Sequence, residues 1–80
     1  MSEPTTPLSR AKLNVPLVVT GFDEGLAMQT KVSEMGLHVG ADLEIKQRTA
    51  AALVVKHGTT RLGIESGLAR QILVKIKAAS

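Results

Sequence analysis

Apolar and polar positions alternate along this chain in short runs, interrupted once by a helical spacing. Leu17–Phe22 is Val-rich, short and flanked by Pro16 and Asp23, which predicts a strand. Gly21 inside it predicts a bulge or a sharp bend. Met28, Val32 and Met35 then recur at i, i+4 and i+7, with Leu26 extending the stripe backward and Lys31, Ser33 and Glu34 off it. That spacing predicts a helix over residues 26–35, ended by Gly36 where a left-handed cap favours glycine. Alternation resumes at Leu43-Glu44-Ile45-Lys46 and again at Arg61-Leu62-Gly63-Ile64. Between them, residues 53–56 are apolar and β-branched, and His57-Gly58-Thr59-Thr60 has the composition of a hairpin turn. Residues 49–52 read either as a hairpin connection or as the start of the next strand. Residues 65–70 fit one helical turn. The last run puts Ile72, Val74 and Ile76 on one face and Leu73, Lys75 and Lys77 on the other.

Ahead of these elements, residues 8–12 allow a single helical turn, and Asn14 and Pro16 mark a turn. Residues 1–7, with two prolines and one apolar side chain, read as a flexible lead-in to a single domain over residues 8–80. The order is strand, helix, then four short strands joined by tight turns. Closure is the economical way for so small a sheet to protect its edges, so the expected fold is mainly β, a small SH3-like barrel of about five strands with one inserted helix and short helical turns.

Composition narrows the chemistry. The chain has 80 residues, ten Lys and Arg against seven Asp and Glu, and a formal charge of +3, mildly basic rather than densely cationic. Phe22 is the only aromatic, so the core must be aliphatic, and neither base stacking nor aromatic recognition of PxxP peptides is expected. Absence of cysteine removes disulfides, thiol catalysis and Cys-ligated zinc. No apolar run reaches the length of a membrane span, and the N-terminal residues lack the apolar stretch of a signal peptide, so a cytoplasmic location is expected.

The landmarks have a familiar order. Val19-Thr20-Gly21-Phe22, a helix ending Val32-Ser33-Glu34-Met35-Gly36-Leu37, then Val39-Gly40, and later Gly58-Thr59-Thr60-Arg61-Leu62-Gly63-Ile64 followed by Leu68-Ala69-Arg70-Gln71-Ile72-Leu73-Val74, together resemble the FeoA family over residues 8–76. These are small cytoplasmic proteins of bacterial ferrous iron uptake. The chain departs from the family pattern at four places. Lys31 stands where the family has a helix Arg, and Gly36-Leu37-His38-Val39-Gly40 replaces a Gly-Leu-x-Pro-Gly turn. Residues 49–52 replace an Asp-Pro in the central hairpin, and Leu13-Asn14 replaces an early Pro-Gly. The resemblance implies an SH3-like barrel that acts beside FeoB, the membrane iron transporter with a cytoplasmic GTPase region. It also implies recruitment to the inner face of the membrane through that partner. The same domain serves as a regulatory module in iron-dependent repressors.

Candidate chemistry is sparse. The serines lack a nucleophile-elbow setting, no phosphate-binding glycine motif occurs, and Asp23 and Glu24 sit where helix capping explains them, so neither an enzyme nor a cofactor is expected. His38 and His57 are the only nitrogen ligands, with Asp23, Glu24, Asp42, Glu44 and Glu65 offering oxygens, and they are weak metal candidates because both lie in expected turns. Met28 and Met35 either pack on the barrel or, with Lys31, edge a groove for a partner. Lys46, Arg48, Lys56 and Arg61 fall on strands expected to be neighbours, either a solvated face or an electropositive one. The expected function is a non-enzymatic module that binds the transporter's GTPase region through Met28, Lys31, Met35, Arg48 and Arg61. Alternatives are a basic barrel that binds nucleic acid, which the modest charge does not favour, and a metal-regulatory domain. Homo-oligomerisation through an open edge strand stays open.

Overall fold

A computed structural model describes residues 5–23, 30 and 32–77. It holds one six-stranded antiparallel sheet with spatial order β1-β6-β2-β3-β4-β5, formed by β1 (Thr6–Pro7), β2 (Leu17–Phe22), β3 (Asp42–Arg48), β4 (Ala52–His57), β5 (Thr60–Glu65) and β6 (Ile72–Ile76). A 3-10 turn over Leu8–Arg10 and a short helix over Ser66–Ala69 complete the described elements. The two touch each other, drawing the far ends of the curled sheet together as a partly open barrel. Among the described residues six strands stand where about five were expected, the added one being β1. Thr6 and Pro7, expected in the flexible lead-in, pair with Val74 and Leu73. Pro7 is compatible with that position because β1 is the edge of the sheet.

The expected helix over residues 26–35 falls partly outside the described residues, and Met28 and Lys31 with it. Thr30 and residues 32–34 are helical, and the end of the helix is cut as the glycine predicted. Leu37 donates its amide to the Val32 carbonyl at 3.1 Å and Gly36 donates to Ser33 at 2.9 Å, with Gly36 at φ +86°. These are the two bonds of a Schellman cap, and its usual apolar contact has its counterpart in the full burial of Val32 and Leu37. The chain then turns at residues 38–41, where Ala41 donates to the His38 carbonyl at 2.9 Å and Gly40 takes φ +93°. That third position needs a left-handed residue, and the glycine of Val39-Gly40 supplies it.

Two bulges bend the sheet. One lies in β2 between Val19 and Gly21, as Gly21 predicted, and the hydroxyl of Thr20 donates to the Leu73 carbonyl at 3.2 Å. The other lies in β3 between Ile45 and Gln47. It matters more, because β3 belongs to both halves of the barrel and one extra residue inverts the alternation beyond it. Gln47 therefore opposes half-buried Val54, and Arg48 opposes buried Leu53 on the core side.

The core is aliphatic, as a chain with one aromatic requires. Leu8, Leu17, Val19, Val32, Leu37, Ile45, Leu53, Val55, Ile64, Ile72 and Val74 are essentially inaccessible, and no polar or charged side chain is buried among the described residues. Phe22, Met35, Leu62 and Leu68 pack around this centre, half-buried. Ile76 keeps the face of Ile72 and Val74, opposite buried Leu17, but 45% of its surface is exposed where β6 runs out of the barrel.

Candidate partner-binding surface

The cations singled out by sequence do not form one face. Arg48 is anchored: its Nη1 donates to the Ala11 carbonyl at 2.6 Å and to the Ser9 carbonyl at 3.3 Å. The bulge in β3 aims Arg48 toward the core side at the barrel end, where it holds the end of the 3-10 turn. Arg61 lies on the outer surface of β5, opposite Lys56. The row containing Arg48, Leu53 and Ile64 and the row containing Lys56 and Arg61 lie three residues apart along β4, about 10 Å. Arg48 and Arg61 therefore point to opposite faces of the sheet.

Acids answer part of the remaining charge. Lys46, at the β3 bulge, contacts Glu44 at 2.7 Å, and Lys77 contacts Asp42 at 3.1 Å. The Lys46 ammonium, first through its hydrogen bond and then through its charge, holds the Glu44 carboxyl below the usual glutamate range. A groove of about 220 Å³ runs past Asp42, Glu44, Lys56, Gly58 and Lys77, and its walls mix both signs of charge.

The histidines end in separate roles. His57 Nδ1 meets the Asp42 carbonyl at 2.6 Å, and His38 Nδ1 meets its neighbour's carbonyl, Val39, at 3.0 Å. A carbonyl only accepts, so both rings carry their proton on Nδ1. Among the described residues no three His, Asp or Glu side chains gather as metal ligands would.

A different cationic site emerges from the tertiary structure. A groove of about 120 Å³ lies between the 3-10 turn and β6, with Arg10, Lys12 and Lys75 on its walls and Leu17, Val74 and Ile76 supplying apolar surface. Among the described residues no acidic side chain lines it, and none of the three cations has an ion-pair partner. Sequence reasoning missed it because Arg10 and Lys12 precede the first long strand whereas Lys75 is on the last. Tertiary pairing of β6 with both β1 and β2, and the packing of the 3-10 turn against β6, join those two ends of the chain. Met35, from the expected helix face, is half-buried against the core.

Comparisons with known proteins agree with this architecture. A crystal structure of an iron uptake regulatory protein, FeoA, superposes with a TM-score of 0.81 at 25% identity, covering 90% of this chain and 97% of that one. The solution structure of iron(II) transport protein A from Clostridium thermocellum gives 0.78 at 25% identity, over 89% of this chain and 45% of that one. A manganese-dependent transcriptional repressor shares the fold, with a TM-score of 0.83 at 16% identity over 96% of this chain and 44% of the repressor. No curated protein sequence matches the chain. The FeoA domain family matches residues 6–76, from the first residue of β1 to the last of β6, and the chain belongs to that family.

Proposed function

We propose that this protein is a non-enzymatic accessory factor of ferrous iron uptake that binds the cytoplasmic GTPase region of a FeoB-type transporter and biases its conformation. The observation carrying this reading is the FeoA match over residues 6–76, which takes in nearly every described residue. Support for an iron-transport context comes from the two 25%-identical structures, one named for iron uptake regulation and the other for iron(II) transport. A binding module acts by preferring one state of its partner, so its effect is limited by its differential affinity for the two states. Arg10, Lys12 and Lys75 around exposed Ile76 suit an acidic segment that also carries an aliphatic side chain. Contact there leaves the barrel core undisturbed.

The test is a titration of the protein into the purified GTPase region, with and without guanine nucleotide. Saturable, nucleotide-dependent binding is expected, weakening at least about tenfold in the Arg10→Glu/Lys75→Glu variant and falling with added salt. Absence of binding for the native chain would refute the partner. Undiminished binding by the folded double variant would refute the groove.

A further inference from the structure

The outer edge of β5 is a self-complementary surface, and we propose that it pairs with β5 of a second copy about a two-fold axis at Gly63. β5 is the last strand of the sheet, and among the described residues nothing pairs with its far side. Its register against β4 is regular, from the hairpin end at His57 opposite Thr60 to Ala52 opposite Glu65. In a two-residue hairpin the closing pair exchanges both backbone hydrogen bonds, and antiparallel pairs then alternate. The bond from the Ser66 amide to the Ala51 carbonyl, 3.0 Å, falls where this alternation requires it. Leu62 and Ile64 therefore bond inward to β4, while the amides and carbonyls of Arg61, Gly63 and Glu65 point out of the edge.

Those three residues set the register of self-pairing. Antiparallel partners directly opposite each other must share a face, and a two-fold normal to the sheet preserves each copy's inner and outer faces. Centring on Gly63 satisfies both conditions. Gly63 meets its counterpart, Arg61 of one copy opposes Glu65 of the other on the outer face, and Leu62 opposes Ile64 on the core side. All three outward-pointing backbone pairs are used.

Charge complementarity favours a second copy over other strands. Arg61 sits opposite Lys56, a like-charged pair that is unfavourable by itself, and the row Glu44-Lys56-Arg61 ends on a cation at the open edge. Glu65, opposite Ala52, leaves an anion at the other end of the same edge. Both side chains are exposed, and neither has an ion-pair partner among the described residues. One copy thus offers the charge pattern that another requires, and no side chain at Gly63 obstructs the axis.

The experiment combines sedimentation equilibrium with amide exchange on the intact chain. A mass rising toward that of two chains is expected, with the Arg61, Gly63 and Glu65 amides slowing as concentration increases while Leu62 and Ile64 are already slow. Arg61→Glu alone and Glu65→Arg alone should each weaken association at least about tenfold, and the Arg61→Glu/Glu65→Arg swap should restore it. A monomer up to ~1 mM would overturn the proposal. So would a dimer insensitive to both single variants, or one that the swap does not rescue. Should the single variants fail to fold, concentration-independent exchange at Arg61, Gly63 and Glu65 in the native chain overturns it equally. Protection of those amides only on adding the transporter's GTPase region would assign the edge to that partner and reject self-pairing.

Discussion

Replacing Arg48 by Met separates an anchoring role from a partner contact. The substitution keeps an apolar stem of similar reach and removes the donors that hold the 3-10 turn. Two bonds are lost: the 2.6 Å bond to Ala11, at a part-buried site, and the 3.3 Å bond to Ser9, which is exposed. A hydrogen bond from a charged donor contributes about 1.5–3 kcal/mol when shielded, and a long exposed one contributes little. The anchored turn also carries Leu8 and buried Ala11 into the core, so loosening it weakens burial as well as polar contacts. A loss of about 2 kcal/mol follows, which in a domain of this size lowers Tm by roughly 8–16 °C. Urea unfolding followed by circular dichroism measures it, with the slope unchanged if the native state stays compact. Binding to the GTPase region by the folded variant should match the native chain, because the guanidinium already serves the protein's own backbone. A variant within about 0.5 kcal/mol of native stability would refute the anchor. Native stability with weakened binding would return Arg48 to the partner surface.

Three further outcomes follow from local geometry. Gly58 opens the β4–β5 hairpin at φ +63° with open space around a built side chain, so Gly58→Ala should cost about 1 kcal/mol through the backbone alone. Gly67→Ala, in the Ser66–Ala69 helix without positive φ, should be neutral or stabilising by up to about 1 kcal/mol, and equal losses in urea unfolding would contradict the distinction. Glu44 ionises at a lower pH folded than unfolded, so its ion pair stabilises the fold above the ordinary glutamate range and that contribution disappears as pH falls through the folded value. Carboxyl NMR titration should show the depressed midpoint, and Lys46→Met should raise it; an unmoved midpoint would disprove the coupling.

Where the chemistry is local, the amino-acid pattern was sufficient. Gly36 ends its helix because the Schellman bonds span only Val32 to Leu37, and Gly58 turns its hairpin because two residues must reverse the strand. Gly21 announced its bulge, and the aliphatic strands declared the core. Register over long separations was not legible. The β3 bulge at Lys46 has no glycine to announce it, yet it decides that Arg48 faces the core side and anchors a distant turn instead of joining Arg61. Pairing of Thr6 and Pro7 with β6 likewise left no periodic trace, since two residues are too few to show alternation. Side-chain spacing within a segment depends on neighbours a few residues away, and one chain displays it directly. Which distant segments meet depends on the common burial of the whole core, and only that assembly brought Arg10, Lys12 and Lys75 around a single groove.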